Sequence, residues 1–420
     1  MRDIFIEILT TIKHNRLRTA LTGFSVAWGI FILIVLLGAG NGLINATMGN
    51  SSRYLSTSMV VSGGATSKAY DGLGENRDVQ LNDKDFNVTS KGFPNNVKSV
   101  GAELSQQGET LVNGSDYTTG INLSGVYPND VEINKRTMIC GRFINELDLK
   151  ERRKSIVISS DMAKELLPKS PLSLNGQIIR TTTLAFRVVG IYESQKNSMG
   201  NDAFIPFTTF RAIYNKGDKT GNIVFSFSNL NSEAENETFE SDYRARINRQ
   251  HRAAPDDENA IWIWNRFTQA LSMDTATGLL RTALWVIGIL TLISGIVGVS
   301  NIMLITVRER THEFGIRKAI GAKPWSILRL IIIESIVITT FFGYIGMVLG
   351  IAANLYMDAT IGQETIDNGL FAIQMFTNPT VGIDVCVKAT LLMIVAGTLA
   401  GMVPARKAAK IRPIEALRAE

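Results

Sequence analysis

Four long apolar runs punctuate the 420-residue chain, and a polar block, residues 46–278, separates the first run from the other three. No charge falls between Arg18 and Arg53, a stretch that contains the run 21–43. The run 282–307 is uncharged as well. Residues 327–356 carry only Arg329 and Glu334, and residues 385–403 only Lys388. A helix needs about 20 apolar residues to cross the hydrocarbon core, and in lipid its backbone must satisfy its own hydrogen bonds. The pattern therefore predicts four transmembrane helices, at 19–45, 279–307, 327–356 and 385–404. The first run outlasts the roughly 7–15 apolar residues of a signal peptide, so it reads as a retained span. Ahead of it, Ile4, Phe5, Ile8, Leu9 and Ile12 share one helical face, with Arg2, Asp3, Glu7 and Lys13 elsewhere. That spacing predicts an amphipathic helix over 1–18 lying in the headgroup plane.

The polar block has shorter periods. Residues 58–62, 155–159, 186–192, 223–227 and 260–264 are β-branched or aromatic runs bounded by polar or glycine positions, which predicts strands. Ser232 followed by Glu235 is a capping-box pattern opening a helix that reaches about His251. Asn82 with Asp85 opens a weaker one, and Ser160 precedes a third at 162–167. Strand–helix–strand thus occurs near both ends of the block, at 58–105 and 222–265, around a strand-rich middle. The predicted fold class is a membrane protein: four transmembrane α-helices with a large α/β extracytoplasmic domain between helices 1 and 2. That domain divides into an outer part, 50–108 and 222–275, and an inserted subdomain, 109–221. The first two helices are expected to project beyond the bilayer, so that their motion is felt throughout the domain.

Charge sets the orientation, because Lys and Arg accumulate on the cytoplasmic side of short loops. Arg2, Lys13, Arg16 and Arg18 precede the first span. The loop 308–326 with its exit holds Arg308, Arg310, Arg317, Lys318, Lys323 and Arg329, and the tail 405–420 holds Arg406, Lys407, Lys410, Arg412 and Arg418. The loop 357–384 has no basic residue and carries Asp358, Glu364, Asp367 and Asp384. Both termini are therefore expected in the cytoplasm and the block outside. The formal charge of +5 is mostly this flank bias, so no basic domain supports nucleic-acid binding. Cys140 and Cys386 lie in the block and the last span, and form neither a disulfide framework nor a metal motif.

Catalytic chemistry finds little support. The three histidines are His14, His251 and His312, and no His-Glu-x-x-His, Cys-x-x-Cys or Gly-x-Ser-x-Gly occurs. His251, beside Arg249 and Arg252, reads as a helix C-terminal dipole partner. Without a Gly-Lys dipeptide these residues contain no Walker A loop, so ATP hydrolysis is expected from another chain. The loop Arg308, Glu309, Arg310, Thr311, His312, Glu313, Phe314, Gly315, Ile316, Arg317, Lys318, Ala319, Ile320, Gly321, Ala322 is a short, charged, helix-prone element. Phe314, Ile316 and Ile320 are expected to give it an apolar side, while Gly315, Gly321 and Ala322 permit tight turns or close approach. Charge and pattern leave two readings open, a partner-docking element and a topology-setting loop. Gly346 with Gly350 and Gly397 with Gly401 put small residues on one face of spans three and four, where packing within one subunit is expected. Glu334, near the cytoplasmic interface, is expected to pair with Arg329 or a neighbouring helix, with proton coupling as the alternative.

The loop 307–322 resembles the signature of the MacB/FtsX family of ABC-transporter permeases, and the tail 404–418 resembles that family's C-terminal end. One span, a large outer block and three further spans match the family order, and the segments 186–191 and 203–207 add weaker matches. The resemblance implies a homodimer, or a pair of related permeases, in the bacterial inner membrane with a periplasmic domain containing a porter-like βαβ part. A cytoplasmic ABC ATPase would bind ATP and Mg, with no cofactor on this chain, and residues 309–322 would be the coupling element. Closure of the ATPases would be passed by the long first and second helices to the periplasmic domains, driving efflux without a path through the spans. A periplasmic adaptor and an outer-membrane channel are further possible partners. MacB proper carries its ATPase on the same chain, a departure that weakens transfer of its substrates. Lipoprotein release, or control of a cell-wall hydrolase as FtsX-type permeases exert it, remains an alternative. So does a membrane-anchored receptor or enzyme without an ATPase.

Overall fold

The computed structural model describes residues 16–51, 53–181, 184–194, 201–361, 366–367, 372–373 and 376–410. The expected interfacial helix lies mostly outside them, as do Arg412 and Arg418. Helix α1 (Arg16–Ser51) leads to β1 (Ser58–Gly63), α2 (Asp83–Gly92), β2 (Val97–Asn113), β3 (Asp116–Val126), α3 (Asp130–Ile133), β4 (Met138–Gly141) and α4 (Glu146–Lys150). Then come β5 (Ser155–Ser159), α5 (Ser160–Leu166), β6 (Ile178–Arg180), β7 (Ala185–Tyr192), β8 (Asn201–Pro206) and α6 (Phe207–Ile213). The domain ends with β9 (Asn222–Phe227), α7 (Glu233–Gln250) and β10 (Ile261–Asn265). There follow α8 (Arg266–Glu309), α9 (Thr311–Ala319), α10 (Pro324–Thr360), β11 (Ile366–Asp367), β12 (Ala372–Ile373) and α11 (Ile383–Lys410). The structure divides into a helical unit, 1–47 with 276–365 and 374–420, and a sheet unit, 48–275 with 366–373.

Among the described residues, four helices are long and apolar enough to cross a membrane: Thr19–Met48, Arg266–Glu309, Pro324–Thr360 and Val385–Arg406. Their shared core includes Val26, Ile30, Leu33, Leu292, Ile331 and Met393. Outside it, Phe24, Trp28, Val286, Leu290 and Leu399 are exposed, as suits lipid-facing or partner-facing positions. Polar ties also cross this core, among them the side-chain amide of Asn354 donating to the Ile34 carbonyl at 3.0 Å.

The sheet unit is built on one sheet with strand order β10-β1-β9-β2-β3-β8-β5-β7-β4, to which β6 adds by pairing with β2 and β7. The 17-residue β2 belongs to both ends of it. Its first half pairs with β9 from Val97 to Glu103, and its second half with β3 from Leu104 to Asn113. Within the second half the register breaks around Gly108, whose φ of +81° suits a bulge that only glycine adopts cheaply. Two cores flank the division. Met59, Val61, Phe225, Tyr243 and Ile247 form one beneath α2 and α7. Ile121, Ile156, Met162, Phe186 and Phe210 form the other.

The helices over the first core begin where local chemistry places them. Asn82 and Asp85 form a reciprocal capping box for α2, and Ser232 and Glu235 another for α7. Helix α5 starts two residues earlier than predicted, because Ser159 rather than Ser160 caps it. The second half of β2, with β3, β4, β6 and β8, was not among the predicted strands.

Candidate coupling site

The long α8 stops at Glu309, and Arg310, with φ −89° and ψ 10°, turns the chain into the nine-residue α9. The helix ends in a Schellman motif: the Ala322 amide donates to the Arg317 carbonyl at 2.9 Å, and the Gly321 amide to Lys318 at 3.0 Å. That closure places Gly321 at φ +102°, a conformation an L side chain strains to adopt. Pro324 then opens α10 at a position that needs no amide donor. Gly315, expected to permit a tight turn or a close approach, lies buried in mid-helix.

The expected single apolar side is divided between opposite faces. Phe314 is buried in the core with Val307, Ile327 and Ile331. Ile316, Ile320 and Trp325 point outward, Ile320 at 83% exposure. Residues two apart on a helix lie about 200° apart, which is why Phe314 and Ile316 separate while Ile316 and Ile320 stay together. Arg308, Glu309, Glu313 and Arg317 are exposed as well, with Lys318 and Ala322 half-buried. The exposed positions of this element are therefore both apolar and charged.

Arg310, grouped with the docking residues by sequence, turns inward. Its Nη1 donates to Glu334 Oε2 at 3.3 Å and its Nε to Glu313 Oε2 at 3.0 Å, while its guanidinium lies 5.3 Å from the Phe314 ring centroid. Glu334 thus pairs with Arg310, not with Arg329. The small-residue positions meet helices of the same chain. A methyl on Gly346 would strike the Ala27 carbonyl, and one on Gly350 would press on Ile34. Gly397 faces Thr339, and Gly401 faces Ser335, whose Oγ donates to the Gly397 carbonyl at 3.1 Å.

The sheet unit contains a polar constellation that pattern reading did not single out. Arg266 is buried, donates to Ser58 Oγ at 3.2 Å and Asn134 Oδ1 at 3.1 Å, and stacks over Tyr54 and Trp264. It ties the entry strand, α3 and the base of α8 together. Nearby, Arg136 donates to Asp130 at 2.7 Å and lies over the Phe204 ring. Burial, and then the charge of Asp130, push the Glu103 carboxyl up to about 7. Burial also raises Asp202, against a hydrogen bond from Asn122 that lowers it. His251 caps α7 and its Nε2 lies 2.9 Å from Asp85 Oδ2, so its partner is a carboxylate as well as a helix end. Among the described residues no group of His, Cys, Asp or Glu is placed to hold a metal.

These features define a class: a polytopic membrane protein with an α/β domain inserted between its first two spans. The chain belongs to the family of the MacB-like periplasmic core domain, whose model matches residues 19–245, and an FtsX-like permease C-terminal model matches residues 285–413. It is therefore an ABC transporter permease of the MacB/FtsX type. Among its relatives is a macrolide export ATP-binding/permease protein MacB of Bdellovibrio bacteriovorus, 27% identical over 98% of this chain and 60% of that protein. The chain thus spans about 60% of the length of such relatives. YknZ of Bacillus subtilis, an uncharacterized ABC transporter permease, is 25% identical over 98% of both chains. Among solved structures, the periplasmic region of MacB from Actinobacillus actinomycetemcomitans is 19% identical with a TM-score of 0.43, covering 54% of this chain and 96% of that one.

Proposed function

We propose that the chain is the membrane subunit of a mechanotransmission transporter, converting ATP hydrolysis by a separate cytoplasmic ABC ATPase into movement of its extracytoplasmic domain. The observation that carries this reading is α8, a single 44-residue helix. Residues 266–275 of it belong to the sheet unit and the rest to the helical unit, where it ends beside α9. At about 1.5 Å per residue it is roughly 65 Å long, more than twice the hydrocarbon core. A helix hydrogen-bonded throughout carries displacement along its axis without needing a substrate path through the bundle. Two copies, each with an ATPase on α9, would move their outer domains together and expel substrate from the extracytoplasmic side. Basic flanks on the α9 side support a reading in which that face and both termini lie in the cytoplasm.

The docking surface is then Ile316, Ile320 and Trp325, with the charged Arg308, Glu309, Glu313, Arg317 and Lys318 in the same loop. Ile316→Asp and Ile320→Asp place a charge in that patch without touching the core. Co-purification with a soluble ABC ATPase should fall at least about tenfold in each, as for central contacts of an interface, while thermal melting of the chain stays unchanged. Full retention of the ATPase by both variants would exclude α9 as the docking element.

A further inference from the structure

Arg310 and Glu334 stand 24 positions apart in sequence and share a site closed to solvent, their side chains 11% and 7% exposed. Arg310 is also the one residue between the last turn of α8 and the first of α9, the point at which the two helices would bend against each other. On the far side, Glu334 precedes Ser335, which bonds the Gly397 carbonyl of α11. The same short stretch of α10 therefore touches the turn before α9 and the last span. We propose that the Arg310–Glu334 pair is the joint that fixes the coupling helix to the third span, so that displacement of α9 by its partner moves α10 and α11 instead of bending the loop.

Stability alone does not explain a charged pair here. Apolar side chains of similar volume hold a buried contact as well or better, whereas one charge deprived of the other is strongly unfavourable. What a guanidinium on a carboxylate adds is direction: its donors are planar, so the contact is satisfied in few arrangements and slippage by part of a turn breaks it. Phe314 anchors the same inner face through packing, which tolerates sliding. The ion pair does not. If α9 is the docking element, the coupling role on which this assignment rests, the pair sets how faithfully its motion is passed on.

Hydrogen exchange of the full chain in lipid nanodiscs tests the joint without any partner. In Arg310→Gln and in Glu334→Gln, the amides of residues 311–319 should exchange about tenfold faster or more, as for a segment whose anchoring charge has lost its counter-ion. The charge exchange Arg310→Glu with Glu334→Arg should restore slow exchange, and Arg329→Gln and Glu313→Gln should leave it as it was. Unchanged exchange in both single variants overturns the joint. A second arm uses the apolar double variant Arg310→Met with Glu334→Leu, which keeps the site filled should the singles not fold. With a soluble ABC ATPase expressed from the same genome, this variant should bind as the wild type does but lose stimulation of hydrolysis. Full stimulation in the double variant also overturns the joint. If that ATPase does not bind the wild-type chain, the coupling role falls, while faster exchange of α9 in the single variants still upholds the joint.

Discussion

Glu103 lies on β2 opposite Asn222, half-buried and close enough to Asp130 and Asp202 to feel both charges. Its proton is held more tightly in the folded chain, at about 7 against an ordinary 4.5. Folding therefore takes up a proton between those values, and this residue's contribution to stability is greatest below the lower one. It declines as pH rises through the window and reaches its full deficit above about 7. Asp202, also raised, acts with the same sign. The neutral Glu103→Gln should lack this decline. Melting temperatures of the purified full-length protein at a series of pH values should show variant and wild type diverging between 4.5 and 7, with the variant gaining as pH rises. The shift sets a ceiling of about 3 kcal/mol, less whatever water screens. Parallel pH profiles would mean that the carboxylate is ionised and solvated.

At the scale of elements, the seam between α1 and α10 is set by absent side chains. Gly346 lies against the backbone of Ala27, which cannot move aside as a flexible side chain would. Gly346→Leu should cost more than the roughly 1–3 kcal/mol typical of overpacking, whereas Gly278→Leu on α8, where an added methyl would meet nothing beyond its own helix within 4 Å, should be almost neutral. Thermal unfolding of the two variants in detergent separates these outcomes, and equal losses would remove the seam from the account. The elements most legible in the sequence were those specified locally. The capping residues Asn82 and Ser232, and the runs such as 155–159, announce themselves within a few positions. The β2–β3 hairpin did not, because its strands are half-exposed, polar and broken by Gly108 and Gly120, so their pairing is decided by distant neighbours. The partner of Glu334 was hidden for a related reason. Arg329 is near in sequence but, five residues away on one helix, it points about 140° from Glu334, while Arg310 is brought in by the fold. The outward half of the proposed docking element was visible as composition, yet which of its apolar residues faced the core required the neighbouring helices.

Across the whole molecule, the proposed transmission depends on α8 being unbroken. Ala276 is exposed on α8, with Gly278 and Leu279 also exposed beyond it. Ala276→Pro deletes one backbone hydrogen bond and kinks the helix, at a local cost of about 3 kcal/mol. ATPase binding should survive, while the nucleotide-dependent change in hydrogen exchange of residues 58–265 should disappear. Persistence of that change would exclude α8 as the carrier. The double membership of β2 bears on a different stage of the protein's life. Its hairpin with β3 closes between neighbours as the nascent chain emerges, so the middle core can gather early. Its first half has to wait for β9, which is synthesised only after the whole middle segment. Through that interval a strand edge stands bare outside the membrane, and protection by a holdase is worth most then.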